Sequence, residues 1–277
     1  MGNDIIKFEN MNCVVKNSER ISRVQRALIS ERYKRVTRAI NRVFWDSDSE
    51  TAHSRYVGSY GRGTAIDTSD IDILIALPRA KYEQYGSRKG NGQSQLLQAL
   101  KDAILLTYPR SGVKADGQDV DIFFSDGMKF EILPAFQQLD WFGDWNGKYN
   151  YPDSNMGGNW LTTDPMAEQQ AMKKKNEESN GLLFDTCQHM RQIRDNYFSS
   201  YHLSGIVIDS YVYNHIGGWH WTRHGEESSE RGTFEKKLYS ECPLFALNLS
   251  APGSGMPVNM SGSIECLRKV LNHMSKE

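Results

Sequence analysis

What the sequence lacks removes several function classes. No apolar run approaches the roughly 20 residues of a membrane span, and the first residues carry no secretory apolar core; a cytoplasmic protein with no membrane partner is expected. The four cysteines, Cys13, Cys187, Cys242 and Cys266, form no C-x-x-C pair. Neither a zinc knuckle nor a disulfide framework is therefore expected, and buried reduced thiols are. An excess of one charge is also missing. With 33 Lys and Arg against 34 Asp and Glu the net charge is −1, whereas proteins that hold long nucleic acids carry a basic excess or stripe; no obligate long nucleic-acid partner is expected. His215, His220 and His224 cluster near Trp219 and Trp221 without a Cys or acidic residue to complete a zinc pattern, so surface or aromatic packing is their expected role. Internal repeats, low-complexity tracts and a Ser-His-Asp arrangement are absent too.

What is present centres on residues 56–77, YVGSYGRGTAIDTSDIDILIAL. A glycine-punctuated turn (Gly58-Ser59, then Gly61-Arg62-Gly63-Thr64) precedes a strand that carries Asp70 and Asp72. Residues two apart on a strand share a face, so both carboxylates point one way while Ile71, Ile73 and Ile75 pack on the other. Two such groups repel unless a cation or proton lies between them. Mg²⁺, which takes one or two carboxylates plus substrate phosphates, suits an Asp-x-Asp pair. Upstream, glycines clear the path of a phosphate, and the Ser59 hydroxyl and nearby N–H groups can donate to it.

The string GSYGRGT…SDIDILI resembles the signature of the polymerase-β-like nucleotidyltransferase superfamily. It is similar to the branch that holds oligoadenylate synthases, cyclic GMP-AMP synthase and the bacterial cyclic-oligonucleotide synthases of anti-phage signalling. That resemblance implies a third carboxylate on a later strand, an acidic residue followed by an apolar-Pro-Ala-Phe run; Glu131 before Pro134-Ala135-Phe136 fits it, with Asp121 as the competitor because hairpin register is not readable from sequence. It also implies two Mg²⁺ ions, replaceable by Mn²⁺, on Asp70, Asp72 and Glu131. Ribonucleoside triphosphates are the implied substrates, a regulatory partner protein is allowed, and a downstream effector is reached through the product. Met190-Arg191-Gln192-Ile193-Arg194 resembles the family helix with a triphosphate-contacting Lys, here Arg194. Ser199-Ser200-Tyr201-His202 looks like the stretch where a Ser holds phosphate and a Tyr stacks on the base, which points to Ser200 and Tyr201. Gly58 and Ser59 complete the implied nucleotide contacts.

The expected fold class is α+β: a polymerase-β-like lobe of mixed sheet and helices, a helical second lobe, a long N-terminal spine helix, and an active site in the cleft between lobes. Expected divisions are an N-terminal segment at 1–16, a catalytic lobe at 17–160 and a helical nucleotide-binding lobe at 161–277. Helical spacing of Ile21, Val24, Leu28, Tyr33, Val36, Ile40 and Val43 predicts a helix over 17–44 capped by Asn17 or Ser18. Residues 78–93 read as a loop, and a helix is expected over 94–106. Strands are expected at 112–115, 120–124 and 128–133, the last two joined by the hairpin signal Asp126-Gly127. Residues 137–164 read as an irregular crossing. Helices are expected over 165–178, 181–197 and 200–216, with Ser199-Ser200 at a helix start, and a last one over 263–274.

Overall fold

Alternating apolar and charged residues, with strong β-formers at the apolar positions, build a sheet with one acidic face. In the computed structural model, which describes residues 13–16, 20–244 and 248–276, the strands are β1 (Ser54–Tyr56), β2 (Ile71–Ala76), β3 (Gly112–Asp116), β4 (Asp119–Phe123), β5 (Lys129–Leu139), β6 (Trp145–Asp153) and β7 (Asn159–Thr163). The helices are α1 (Arg23–Phe44), α2 (Gly58–Arg62), α3 (Arg79–Gly86), α4 (Gly92–Leu105), α5 (Pro165–Glu178), α6 (Leu182–Tyr197), α7 (Gly205–His215), α8 (Thr233–Glu241) and α9 (Ser263–Met274). The chain divides into two units, Ile21–Gln169 and, together, Met1–Arg20 with Gln170–Glu277. These divisions fall at 20/21 and 169/170, where the sequence reading placed them at 16/17 and 160/161.

In the sheet unit the strand order is β1-β2-β5-β4-β3, with β2 and β5 parallel and the other pairs antiparallel. Ile71, Ile73, Ile75, Val120, Ile122, Phe130 and Ile132 close one face against Ile29, Tyr33, Val36 and Ile40 of α1 and Leu96, Leu97 and Leu100 of α4. The apolar stripe of α1 thus passes through Ile29; Val24 and Val43 are exposed. Its cap is Ser22, whose hydroxyl accepts the Gln25 N–H at 3.2 Å; Asn17 and Ser18 lie outside the described residues.

Two stretches expected to be irregular are ordered. Residues 79–86 form α3, which the Arg79–Glu83 pair at 3.4 Å and stacking of the Arg79 guanidinium over Tyr82 at 4.7 Å support; both are side-chain contacts that a composition-based loop reading misses. Residues 145–163 form β6 and β7, which extend from β5 as a second small sheet. Their Gly, Asn and Pro content masked the alternation. Pro134 stands where β5 has left β4 and not yet met β6, so no ladder bond is lost on that side.

In the helical unit, Leu183, Cys187 and Met190 of α6, Val207, Ile208 and Tyr211 of α7, Leu238 of α8 and Leu267, Val270 and Leu271 of α9 form a separate core. Val14 belongs to it, and its N–H donates to Glu235 at 2.9 Å. This much of the N-terminal segment is anchored; residues 1–12 lie outside the described ones. Arg191 and Asp209, both buried, form a bidentate pair at 2.7 and 3.0 Å that ties α6 to α7. Among the described residues no helix is long and apolar enough to cross a membrane.

Candidate active site

Register places the acidic residues. Asp72 is opposite Glu131 across the parallel β2–β5 pair, and Asp121 is opposite Glu131 across the antiparallel β5–β4 pair. Because alternate residues share a face, Asp70, Asp72, Glu131, Asp121 and Asp119 project from one side of three adjacent strands. The two candidates for the third carboxylate therefore sit side by side.

The turn upstream is a single helical one, α2, and Gly58 starts it with φ +56. A Cβ on Gly58 would lie 1.8 Å from Asp72 Oδ2, so only glycine lets that carboxylate stand against the α2 backbone. Ser59 follows at the first turn, and its carbonyl accepts the Thr64 N–H at 2.9 Å. Gly61 is hemmed in as well: its Cβ would meet the Tyr56 carbonyl at 2.6 Å. The buried Arg62 pairs with Glu168 at 3.1 Å and adds positive potential beneath Asp72.

Lys129, two residues before Glu131 and thus on the same face, sends its Nζ among the carboxylates: 2.5 Å from Glu131 Oε1, 3.0 Å from Asp121 Oδ1 and 3.8 Å from Asp70 Oδ2. Burial, then the charge of Glu131, pushes the Asp72 carboxyl up to about 8. Burial acts the same way on Asp119, reinforced by Glu131 and Asp121, to about 7. Asp70 is also raised, by burial and by Glu131. Glu131 goes the other way: burial opposes its charge, but hydrogen bonds from Lys129 and Asp72 outweigh that and hold it below the usual carboxylate range. Asp72 is thus the protonated member of the pair and donates to Glu131. A face this crowded with acid calls for positive charge.

Among the described residues no three carboxylate, thiol or imidazole groups are pre-arranged around one point as metal ligands; Lys129 stands at the centre of the cluster. The donor set nevertheless fits a hard divalent ion: it is all carboxylate oxygen, burial and then the charge of Glu131 raise Asp70 and Asp72, and Gly58 clears the space behind Asp72.

The predicted residues of the helical unit have other local partners. Arg194 is in the last turn of α6, where its guanidinium donates to Asp195 at 2.6 Å and to the Leu203 carbonyl at 3.0 Å. Ser200 is exposed in the turn after α6, and no helix starts there: α7 begins at Gly205 with Ser204 as cap. Ser204 is extended, and the Leu203 carbonyl before it is taken by Arg194 rather than by a helical N–H, so the restart comes later than the hydroxyl pair suggests. Tyr201 is 39% exposed, and the Lys269 ammonium lies 4.7 Å from its ring centre.

Sequence reasoning passed over Lys129 and Asp119. The signal existed: D-V-D-I-F at 119–123 repeats the D-I-D-I-L pattern of 70–74, and Lys129 is one strand period from Glu131.

Residues 9–176 match the model of the Second Messenger Oligonucleotide or Dinucleotide Synthetase domain, more than half of the chain. The chain belongs to this family. As a member it is a nucleotidyltransferase that makes an oligonucleotide or dinucleotide messenger. Solved structures with the same fold include a STING-associated CdnE c-di-GMP synthase from Capnocytophaga granulosa, at TM-score 0.61 and 16% identity over 90% of this chain and 77% of that one. CdnE cyclic dinucleotide synthase from Elizabethkingia meningoseptica, solved with GTP and Apcpp, gives 0.60 and 14% over 95% and 93%. The Rhodothermus marinus CdnE c-UMP-AMP synthase with Apcpp and Upnpp gives 0.59 and 12% over 88% of each chain. No curated protein matches the sequence.

Proposed function

We propose that the protein joins two or three ribonucleoside triphosphates into a cyclic messenger, releasing pyrophosphate, in the cytoplasm of a bacterium defending itself against phage. The observation that carries this reading is the acid row with Gly58 packed against Asp72. Asp70, Asp72 and Glu131 would hold two Mg²⁺ or Mn²⁺ ions. When bound, such ions lower the pKa of an attacking ribose hydroxyl and offset charge on the triphosphate. Ser59 and the first N–H groups of α2 would donate to phosphate oxygens, and Asp72, relieved of its proton, would become an acceptor-only ligand. For the helical unit, the exposed Tyr201 ring is the proposed base platform, worth roughly 1–3 kcal/mol in stacking, and Ser200 and Arg194 are proposed to meet phosphate oxygens. The bound GTP and Apcpp of the Elizabethkingia structure support the substrate class.

The test is incubation of purified protein with four labelled ribonucleoside triphosphates and Mg²⁺ or Mn²⁺, then phosphatase treatment and separation. A phosphatase-resistant product lost in Asp70→Asn and Asp72→Asn is expected, and leaving out one nucleotide at a time names its bases. A phosphatase-sensitive ladder would replace the cyclic reading with a linear one. Product formation unchanged in both variants would remove the metal role.

A further inference from the structure

Lys129 lies where a divalent ion would have to work, and a lysine ammonium and a Mg²⁺ ion cannot both occupy one carboxylate cage. Its surroundings show where it can go. The strand order is β2-β5-β4, so Lys129 on β5 has Asp70 and Asp72 on one side and Asp121 on the other. The lysine stem is four carbons long and its Nζ passes 5.7 Å from the Phe123 ring centre, on the β4 side. Asp121 Oδ1 is sealed from solvent and already pairs with Nζ at 3.0 Å, longer than the Lys129–Glu131 contact, so a seat for the ammonium stands ready on the β4 side. Glu131, by contrast, accepts a full hydrogen bond from Lys129 at 2.5 Å. Asp119 of β4 extends the acid face beyond Asp121, while Lys114 of β3 is engaged by Asp116 at 2.7 Å.

We propose that Lys129 is an internal counter-ion: it holds Asp70, Glu131 and Asp121 together in the metal-free protein and withdraws onto Asp121 when a divalent ion takes Asp70, Asp72 and Glu131. Lys129 is thus a positioning residue and Asp121 its seat rather than a metal ligand. The inference rests on the reading of Asp70, Asp72 and Glu131 as the ligand set. It makes metal loading an exchange of one cation for another, so the protein keeps an assembled acid row before any ion arrives.

The experiment measures Mn²⁺ binding to nucleotide-free protein at neutral pH, by the electron paramagnetic resonance signal of free Mn²⁺, with thermal unfolding in EDTA alongside. Lys129→Met should bind Mn²⁺ about tenfold more tightly or better, because no ammonium competes, and should melt lower than the parent in EDTA. Asp121→Asn should weaken Mn²⁺ in the parent, where Lys129 loses its seat, but not in the Lys129→Met background. Affinity unchanged or weakened by Lys129→Met overturns the proposal, as does an Asp121→Asn loss of equal size in both backgrounds, which would make Asp121 a ligand. If Lys129→Met does not fold, Lys129→Gln carries the same comparison. Mn²⁺ binding that Asp72→Asn abolishes but Lys129 variants leave alone rejects only the role of Lys129. No Mn²⁺ binding by the parent or by Lys129→Met rejects the ligand set and the exchange together.

Discussion

Single residues decide whether the acid row can exist. Gly58→Ala places a methyl 1.8 Å from Asp72 Oδ2 at a left-handed φ of +56. The backbone strain alone costs about 1 kcal/mol, and displacing the carboxylate is expected to lower kcat by about 100-fold; steady-state assays against a melting curve separate the two, and full activity would show that Asp72 does not need its present position. The Asp72 carboxyl also predicts a pH effect. Raised to about 8 by burial and then by Glu131, it lies above its unfolded value. Its stabilising contribution is therefore complete below the unfolded pKa and is lost as pH rises toward about 8. Asp119, raised to about 7 by burial first, acts in the same direction. Melting temperature in EDTA should fall between about pH 5 and pH 8, Asp72→Asn should flatten the slope, and saturating Mg²⁺ should remove it. A level or rising curve in EDTA would contradict the shared-proton state of Asp72 and Glu131. These residue-level features were partly legible. Asp70 and Asp72 stood out because alternation along one strand is local, and Glu131 through its family-like sequel; that Asp121 neighbours Glu131 needed a hairpin register, and Lys129 needed the same register to be seen as a counter-ion.

At the scale of elements, the Arg191–Asp209 pair between α6 and α7 is buried at both ends, with 1% and 0% side-chain exposure. Removing one partner leaves the other's buried charge without its bidentate counter-ion, so Arg191→Met should destabilise the helical unit by about 3–5 kcal/mol, and Arg191→Met with Asp209→Leu should recover much of that; urea unfolding of the three proteins checks it, and additive losses would refute the pairing. A second element-level prediction concerns the β4–β5 hairpin. Gly127, at φ +87, forms its turn, and Arg32 of α1 grips Asp126 through two contacts of 2.9 Å. Gly127→Ala should cost about 1 kcal/mol, measured by chemical denaturation, with no effect expected if the turn can reform with φ below zero. Elements with strong periodicity or end signals, such as α5, α9 and this hairpin, were readable in advance. α3 and the β6–β7 pair were not: α3 is supported by cross-turn side-chain contacts rather than by an apolar stripe, and β6 and β7 owe their order to the edge that β5 offers them.

For the whole molecule, the proposed roles of the acid row and of Tyr201 predict separable responses to metal and to nucleotide. With Mn²⁺ alone, gains in amide-exchange protection should be confined to β2, β4, β5 and α2; adding a non-hydrolysable triphosphate should extend them to the turn around Tyr201 in the helical unit. Protection that stays within the sheet unit under both conditions would remove Tyr201 from the nucleotide site. The parallel pairing of β2 with β5 has a consequence for the order of events in folding. Asp72 and Glu131 are about sixty residues apart in sequence, and closing a loop of that size comes late, after local helices and hairpins have formed. A nascent chain or fragment that ends before residue 131 lacks the β5 carboxylate that faces Asp72 and so cannot complete the acid row, however well its helices have formed.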